Sequence, residues 1–446
     1  MKKVLILGAG MVVKPMVEYL IHHGYEVTVA SRTKSKADLL IQGHPLGKAI
    51  GWTVDQEDIL DQMVEEHNLT VSLLPYAYHA MVAKHCLKHK KNMVTTSYVQ
   101  AEMSAMDQEA RDAGILLLNE IGVDPGIDHM SAMKIIDHVH DKGGKILSFF
   151  SITGALPAPE ATDNPFRYKF SWSPKGVVMA GNNDGRFLLD GKEKYVPTAD
   201  LFKQIFSVHF PDIGTLEVYP NRDSVQYIDI YNLQEVKTIF RGTFRYPNWC
   251  RILDAMKTLR LISYDKLNLK GKTFSGMIAL LMGSKDTADI RKQVAKYLSV
   301  DEQDIILEAL EWLGLFSSEE IGREEDSAFE VVSDLMIKKM MLGEDERDMI
   351  VMQHSFLASY PDSKKEVIHS RMLDFGSPKS NTAVARTVAL PAAIAVRLIL
   401  EEKIKITGVY RPVIPEIYLP VLEELENMGI RLTEEFGLPL SALPSF

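Results

Sequence analysis

The first 126 residues alternate between short apolar runs and segments with helical spacing, and this alternation constrains the fold more than any other feature. Six runs have the length and composition of buried β-strands, and helical segments such as 77–89 and 102–113 separate them. Strands that alternate with helices over short connections form right-handed βαβ units with a parallel sheet. The predicted strands are 4–7, 27–30, 49–54, 69–74, 92–96 and 115–118.

Two glycines directly follow the first predicted strand. The run V-L-I-L ends at Gly8, and Gly10 stands at the start of the next helical segment. Glycines at this point allow a tight turn and let the backbone approach a pyrophosphate, which a helix N-terminus attracts. Val13 stands where the dinucleotide fingerprint has its third glycine, so the motif alone is a weak signal. Its position at the head of the alternation nevertheless predicts a Rossmann-type dinucleotide-binding domain.

The end of the second predicted strand favours NADP over NAD. NAD-binding proteins place an acidic residue there for the ribose 2′-hydroxyl, and this residue would repel a 2′-phosphate. Here the residues are Ser31, Arg32 and Thr33, which offer a guanidinium and two hydroxyls, all suited to a phosphate. The alternative is that Arg32 is only a solvated loop residue.

The stretch 115–130 joins an apolar strand to a helix through a polar turn. Asp124 followed by Pro125 is typical of a helix start, because the Asp side chain can cap free N–H groups and Pro has none to lose. Ligands of open α/β sheets bind at the carboxyl ends of strands, where these residues are predicted to lie. Asp124 is therefore either a helix cap alone or a cap that also contacts a ligand. Tyr98, after another strand, is either a general acid or a packing residue.

The pattern changes after residue 145. Longer runs with a period near two, including L-E-V-Y-P, Y-I-D-I-Y and T-I-F-R-G-T-F-R-Y, predict a second, mixed sheet, and Asp190-Gly191 is a hairpin turn signal. Helical patterns dominate 284–342. We predict an α/β protein with a mixed α/β substrate domain that carries a helical insert. The predicted parts are a dinucleotide-binding domain at 1–126, on which about 390–446 packs back, a substrate and dimerisation domain at 127–262 with about 345–389, and the insert at 263–344.

Length and composition limit the class of protein. A chain of 446 residues suggests two or three domains, and a net charge of −10 argues against a general nucleic-acid binder. Cys86 and Cys250 form no disulfide framework, so we expect a cytoplasmic protein. The apolar region 383–400 contains two arginines and a proline, which predicts a buried helix and no membrane span.

One pair of histidines has the spacing of metal ligands. His85 and His89 are four residues apart on a predicted helix, with Cys86 beside them. Lysines at 84, 88, 90 and 91 would repel a cation, so we interpret the two histidines as part of a solvated face and predict no metal.

Five long and uncommon motifs stand along the chain. They are N-E-I-G-V-D-P-G-I-D-H-M (119–130), G-A-L-P-A-P-E (154–160), D-N-P-F-R-Y-K-F-S-W-S (163–173), Y-P-N-R-D-S (219–224) and R-G-T-F-R-Y (241–246). Together they resemble the NADP-dependent, glutamate-forming saccharopine dehydrogenases. The resemblance implies a reversible reaction in which saccharopine, NADP and water give glutamate, 2-aminoadipate 6-semialdehyde and NADPH. It also implies a homodimer and small-molecule substrates.

The same resemblance implies the site residues, with Asp124 and Tyr98 as the candidates for proton transfer. The chain departs from the family pattern at Thr153, where fungal members have Cys, and at Thr53, where the pattern has Asp. The implied cofactor contacts, with Gly8 from the motif, are Gly8, Gly10, Met11, Val12, Val13, Ser31, Arg32, Thr33, Thr53, Val54, Thr96, Val123, Asp124, Pro125 and Trp172. The implied substrate contacts are Ser97, Tyr98, Asp124, Arg222, Thr243, Phe244 and Arg245.

Two other functions stay open at this point. One is the reductive condensation of aspartate semialdehyde with a diamine, as carboxynorspermidine dehydrogenases perform it. That substrate has fewer carboxylates and an amine tail, so its site should need acidic residues where Arg222 and Arg245 stand. The other is a catalytically silent NADP-binding sensor, against which the presence of Tyr98, Asp124 and both arginines speaks.

Overall fold

The computed structural model describes residues 1–445, which divide into two compact units. Unit 1 comprises Met1–Lys145, Tyr360–Lys364 and His369–Glu435. Unit 2 comprises Ile146–Ser359, Lys365–Ile368 and the residues from Phe436 onward. The domain boundary predicted after residue 126 falls inside unit 1, and the predicted helical insert falls inside unit 2.

The strands and helices are numbered here in chain order. The strands are β1 Lys3–Leu7, β2 Glu26–Ser31, β3 Gly47–Gly51, β4 Leu69–Ser72, β5 Asn92–Val94, β6 Leu116–Leu118, β7 Lys145–Pro157, β8 Gly185–Leu189, β9 Lys192–Val196, β10 Phe206–Phe210, β11 Gly214–Pro220, β12 Thr238–Arg245, β13 Lys266–Asn268, β14 Glu325–Ser327, β15 Asp348–Ser359, β16 Lys365–Phe375, β17 Gly408–Tyr410 and β18 Leu432–Leu438. The α-helices are α1 Lys14–His22, α2 Lys34–Ile41, α3 Glu57–Glu66, α4 His79–Lys88, α5 Ala101–Ser104, α6 Asp107–Ala113, α7 Ile127–Asp141, α8 Pro174–Ala180, α9 Tyr227–Ile230, α10 Trp249–Thr258, α11 Phe274–Leu281, α12 Ile290–Leu298, α13 Ile305–Leu313, α14 Ala328–Met340, α15 Ala383–Leu400 and α16 Pro415–Asn427.

Unit 1 contains a seven-stranded sheet in the order β17-β6-β5-β4-β1-β2-β3, in which neighbouring strands are parallel. The order from β3 to β6 is that of the Rossmann fold, so the predicted fold class is confirmed. The direction of winding changes between β1 and β4, and ligands of such sheets bind at the carboxyl ends of the strands beside this point. Strand β17, from the later part of the chain, pairs with β6, with Val409 opposite Leu117.

The long apolar helix α15 belongs to the interior of the protein. It is the one helix among the described residues that is long and apolar enough to cross a membrane, and 83% of it is buried inside the protein. This burial agrees with the prediction of a core helix. Arg397, near its C-terminal end, hydrogen-bonds to Tyr19 on α1 and pairs with Glu424 on α16.

The second sheet has nine strands, with a continuous path β10-β11-β12-β7-β15-β16-β18 and the hairpin β8-β9 beside β12. It is mixed as predicted, because β12 is parallel to β7 and antiparallel to β11. The predicted hairpin turn is present, and Asp190 and Gly191 both have positive φ, of 49° and 76°. The predicted helical insert contains α11 to α14 and a small pair formed by β13 and β14.

Two local predictions were wrong. The segment Y-I-D-I-Y was predicted as a strand, but it forms the short helix α9. Tyr227 and Tyr231 are four residues apart, and their buried rings lie 5.3 Å apart, so the same apolar pattern satisfies one turn of helix. The solvated face predicted around His85 and His89 is also incorrect, because the two side chains are only 16% and 13% exposed. Both rings bind one carboxylate oxygen of Asp61 at 2.9 Å.

Candidate functional site

The turn after β1 contains two glycines, and a different physical reason explains each of them. Gly8 has a φ of 115°, and a Cβ there would lie 2.9 Å from the carbonyl oxygen of Leu73. The chain itself therefore requires glycine at this position. A Cβ on Gly10 would have no protein atom within 4 Å, so the packing of the chain does not explain this glycine. Close approach of a ligand does explain it, as the dinucleotide motif predicts.

The start of α1 leaves hydrogen-bond donors available. The N-cap residue Val13 has no capping side chain, and Pro15 follows in the first turn. The amide groups of Met11 and Val12 donate to no other group in the described part of the chain. Free amides at a helix N-terminus bind anions, so this turn fits the pyrophosphate of a dinucleotide.

The ends of β2 and β3 contain the residues predicted to select the cofactor. Arg32 is exposed and forms no ion pair with any described residue, whereas Lys34 pairs with Asp38 at 2.7 Å. Arg32 thus offers a guanidinium that the chain does not neutralise. Ser31 and Thr33 flank it. After β3, Thr53 and Val54 are half-buried, and the hydroxyl of Thr53 holds the pKa of Asp55 below its usual value.

The two predicted proton-transfer residues are in contact. Tyr98 follows β5 and Asp124 follows β6, and the Tyr98 hydroxyl donates to Oδ1 of Asp124 over 3.2 Å. Both side chains are half-buried. Thr96 and Ser97, which precede Tyr98, are also half-buried, and Thr96 packs against the turn at Gly122.

Asp124 does not cap the following helix, so that prediction was wrong. Helix α7 begins at Ile127 and its N-cap is Gly126, and the Asp124–Pro125 peptide bond before it is cis. The carboxylate of Asp128 instead accepts hydrogen bonds from the amides of Gly126 and His129, at 2.6 and 2.8 Å. The Asp124 carboxylate instead accepts the hydrogen bond of Tyr98. Val123 and Pro125, its neighbours, are buried.

Glu120 is a buried carboxylate that the chain pairs fully. It accepts from His129 at 2.7 Å, from Arg411 at 2.7 Å and from the amide of Val99 at 2.9 Å. Burial alone would raise its pKa, but these partners outweigh burial and lower it to about 2. Because Val99 directly follows Tyr98, Glu120 ties the turn after β6 to the segment that carries Tyr98.

His79, the first residue of α4, lies at the candidate site but was not predicted from the sequence. Its buried ring lies between two hydroxyls, with Nδ1 2.8 Å from Ser72 Oγ and Nε2 2.8 Å from Ser97 Oγ. No motif marks this residue. Its position just beyond the end of β4, with strand-end hydroxyls at Ser72 and Ser97, is the signal that was available.

Unit 2 contains a buried polar face on its sheet. Paired residues of neighbouring strands point to the same side of a sheet. The register places Thr243 of β12 opposite Thr153 of β7 and Tyr219 of β11. It also places Arg245 opposite Glu217. Several polar atoms of this region are buried without a hydrogen-bond partner in the described part of the chain. They are Thr153 Oγ1, Tyr168 OH, Trp172 Nε1, Glu217 Oε2 and Arg245 Nε.

Arg245 is the central charge of this polar face. It is 3% exposed, and its guanidinium carbon lies 5.2 Å from the ring of Tyr168, 5.7 Å from that of Tyr219 and 5.5 Å from that of Trp249. The guanidinium donates to the carbonyl of Phe244 and, at 3.4 Å, to the hydroxyl of Tyr219, but it forms no ion pair within the described residues. Glu217 stands opposite Arg245 in the register, but the two side chains form no ion pair. A buried cation without an ion pair is costly, and a bound anion would supply the missing partner.

The other predicted residues of unit 2 differ in exposure. Arg222 is exposed with a φ of 54°, Thr243 and Trp172 are half-buried, and Phe244 is fully buried. A Cβ on Gly154 would lie 2.7 Å from Cβ of Phe244, so the Phe244 side chain belongs to the core. Only its backbone is available to a ligand.

The fold and these residues define a dinucleotide-dependent oxidoreductase. The model of the saccharopine dehydrogenase NADP binding domain matches residues 4–118, and that of the saccharopine dehydrogenase C-terminal domain matches residues 122–430. The chain belongs to the saccharopine dehydrogenase family, and its cofactor is NADP, as predicted.

Similar proteins cover nearly the whole chain. A saccharopine dehydrogenase [NADP(+), L-glutamate-forming] of Schizosaccharomyces pombe is 38% identical over 98% of this chain and 99% of its own. One of Pyricularia oryzae with the same name is 37% identical over 97% of this chain and 99% of its own. The structure of apo saccharopine dehydrogenase (L-Glu forming) from Saccharomyces cerevisiae superposes with a TM-score of 0.91 at 35% identity, covering 98% of this chain and 100% of that one.

Proposed function

We propose that this protein is an NADP-dependent saccharopine dehydrogenase of lysine metabolism that forms L-glutamate. It would convert saccharopine, NADP and water reversibly to glutamate, 2-aminoadipate 6-semialdehyde and NADPH. The observation that carries the proposal is Arg245, a buried guanidinium without an ion pair, in a chain that matches enzymes of this name over nearly its full length. A substrate with three carboxylates offers such a cation its partner.

The residues of unit 1 fit the cofactor. The free amides at Met11 and Val12 and the open space at Gly10 suit the pyrophosphate, and Arg32 with Ser31 and Thr33 suits the 2′-phosphate. When bound, NADP would supply the hydride acceptor for the carbon next to the secondary nitrogen that becomes the aldehyde carbon of 2-aminoadipate 6-semialdehyde. The resemblance adds Thr53, Val54, Thr96, Val123, Pro125 and Trp172 to the contacts.

Tyr98 and Asp124 would manage the protons. The secondary nitrogen must lose its proton before the hydride leaves, and the imine that results is hydrolysed by a water molecule that must also lose a proton. Asp124 accepts the hydrogen bond of Tyr98, so an ionised Asp124 can receive a proton while Tyr98 orients it. The departing amine then needs a proton, which the same pair can return.

Unit 2 would bind the carboxylates of the substrate. Arg222 and Arg245 can each bind a carboxylate through two N–H groups, and Thr243 adds a hydroxyl on the same strand as Arg245. A diamine substrate would need acidic side chains at these points. The carboxynorspermidine-type reaction is therefore not favoured, and neither is a silent sensor, because the Tyr98–Asp124 contact is intact.

One assay tests the proposal. NADPH consumption is followed with glutamate plus 2-aminoadipate 6-semialdehyde, and separately with aspartate semialdehyde plus a diamine. We expect turnover in the first mixture, and NADP reduction when saccharopine is supplied for the reverse direction. Turnover in the second mixture alone would contradict the proposal, and turnover in neither would favour the sensor.

We also propose a cytoplasmic homodimer. The family resemblance supports the dimer, and β10 pairs with β11 on one side only, which leaves backbone groups at a sheet edge that a second chain can use. Cys86 and Cys250 are free and buried, which suits a reducing compartment. Light scattering after gel filtration measures the mass, and a monomer at micromolar concentration would contradict the dimer.

A further inference from the structure

His79 connects two strand ends of unit 1 through its side chain. Nδ1 lies 2.8 Å from the hydroxyl of Ser72, the last residue of β4, and Nε2 lies 2.8 Å from the hydroxyl of Ser97. Ser72 is opposite Leu7 in the parallel pair of β1 and β4, directly before the Gly8 turn. The imidazole therefore joins the sheet beside the cofactor turn to the segment that carries Tyr98.

The ring is suited to fix the direction of hydrogen bonds. It is 2% exposed, and burial lowers the pKa of His79 to about 4, so the ring is neutral near pH 7. A neutral imidazole has one donor and one acceptor nitrogen. Here Nδ1 faces the Ser72 hydroxyl, whereas Nε2 faces the Ser97 hydroxyl at 2.8 Å and, more distantly, the Thr95 hydroxyl at 3.4 Å. If Nε2 carries the proton, it donates to Ser97 and leaves the Ser97 O–H and one lone pair for a ligand. If Nε2 is unprotonated, it accepts the Ser97 O–H and leaves only lone pairs.

A cavity of about 310 Å³ lies beside this connection. His79 and Tyr98 both line it, with Tyr76, Gln100, Glu102 and Asn119. His79, which bonds Ser97, thus lines the same cavity as the candidate proton-transfer residue Tyr98.

We propose that His79 is a positioning residue for the reaction, which holds the Ser97 hydroxyl in place for the substrate. This inference rests on the proposed function, because only the family resemblance makes Ser97 a substrate contact. His79 itself need not touch the substrate. Its effect on Ser97 passes through the 2.8 Å hydrogen bond of Nε2, which a matched pair of variants can keep or remove.

Asparagine and glutamine provide that pair. The side-chain amide of Asn resembles the Nδ1 side of imidazole, whereas the longer Gln reaches the position of Nε2. His79→Asn should therefore keep the bond to Ser72 and lose the bond to Ser97. His79→Gln should keep the bond to Ser97.

His67 is a control within the same unit. It is also buried, with Nε2 2.8 Å from the Thr28 hydroxyl and Nδ1 2.6 Å from the carbonyl of Met63, and burial lowers its pKa too. None of its partners belongs to the implied site. His67→Asn therefore measures the general effect of replacing a buried, bridging histidine.

The experiment measures the KM for saccharopine, the Kd for NADP and the melting temperature of each variant. We expect His79→Asn to raise KM by about 10-fold, the loss of roughly one buried hydrogen bond, and His79→Gln by less than about 3-fold. The Kd for NADP should stay unchanged, and His67→Asn should leave KM unchanged while lowering the melting temperature as much as His79→Asn does.

A second comparison isolates the path through Ser97. In a chain that already carries Ser97→Ala, adding His79→Asn should change KM by less than about 2-fold, because the bond is already absent. A full effect in that background, or equal KM values for the Asn and Gln variants, would overturn this inference while the proposed function stands. Wild-type protein that turns over no saccharopine would overturn both.

Discussion

Glu120 in unit 1 and Arg245 in unit 2 are both buried charges, but the chain treats them differently. Glu120, 2% exposed, accepts hydrogen bonds from a histidine, an arginine and a backbone amide. Arg245, 3% exposed, has aromatic rings around it and no ion pair among the described residues. A charge that the chain satisfies stabilises the fold, whereas a charge that it leaves unsatisfied is available to a ligand.

The same contrast separates other residues of similar type. Gly8 is required by its own backbone, whereas Gly10 has open space around it. Lys34 is paired with Asp38, whereas its neighbour Arg32 is unpaired within the described chain. Each pair thus contains one residue that serves the fold and one that we infer serves a ligand, and substitutions should separate the two roles.

Arg245→Met should give the largest loss of activity. Removing a desolvated cation that binds a substrate carboxylate should lower kcat/KM for saccharopine by about 100- to 1000-fold. The free energy of unfolding should change by less than about 2 kcal/mol, because the lost cation–π contacts are offset by relief of an unpaired buried charge. Steady-state kinetics and urea unfolding measure the two quantities.

Arg222→Ala is the exposed counterpart of this substitution. We expect a rise of about 10-fold in the KM for saccharopine and an unchanged Kd for NADP. The effect is smaller than at Arg245 because an ion pair with a solvated arginine contributes less binding free energy than one with a buried arginine. If Arg245→Met unfolds the protein and Arg222→Ala weakens NADP binding, the assignment of unit 2 to carboxylate binding is wrong.

The glycine pair should separate stability from cofactor binding. Gly8→Ala forces a side chain into a φ of 115° and against the Leu73 carbonyl, so it should lower the free energy of unfolding by about 1–3 kcal/mol. Gly10→Ala should leave stability within about 0.5 kcal/mol but raise the Kd for NADP by about 10- to 100-fold. Calorimetry with and without NADP gives both values, and equal stability losses in the two variants would contradict the distinction.

Glu120→Gln should lower stability in a pH-dependent way. The folded carboxyl has a pKa of about 2 and an unfolded one of about 4.5, so the unfolded state binds more protons and stability falls as the pH drops through this window. At pH 7 the variant should be less stable by about 2–3 kcal/mol. The difference should shrink between pH 4.5 and 2 in denaturant titrations. A constant difference across that range would mean that the charge of Glu120 is not what stabilises the turn.

Much of unit 1 could be predicted because its site residues follow strand ends. Parallel strands bring their carboxyl ends to one edge, so the sequence predicts Tyr98 and Asp124 on the same side of the sheet, where they are in contact at 3.2 Å. The helix cap was not predictable in the same way. Asp124 and Asp128 both precede or begin α7, and only the backbone at Gly126 decides which carboxylate accepts the free amides.

His79 and Arg245 show what the sequence leaves open. The partners of His79 lie 7 and 18 residues away, and only the packing of α4 on the sheet brings the three side chains together. The alternation around Arg245 predicts which side of β12 it occupies. It does not predict whether water or aromatic rings cover that side, because Tyr168 and Trp249 come from other segments.

Arg32→Ala should give a small effect that is confined to the choice of cofactor, because Arg32 is exposed and acts in water. Without the guanidinium, the preference for NADP over NAD should fall by about 10-fold, mainly through a weaker Kd for NADP. Lys34→Ala is the matched control, since Lys34 already pairs with Asp38 and should leave the preference unchanged. Because a phosphate contact is screened by salt, the effect of Arg32→Ala should also diminish at high ionic strength. An unchanged preference at low salt would remove Arg32 from the 2′-phosphate site and make it a residue that serves neither fold nor ligand.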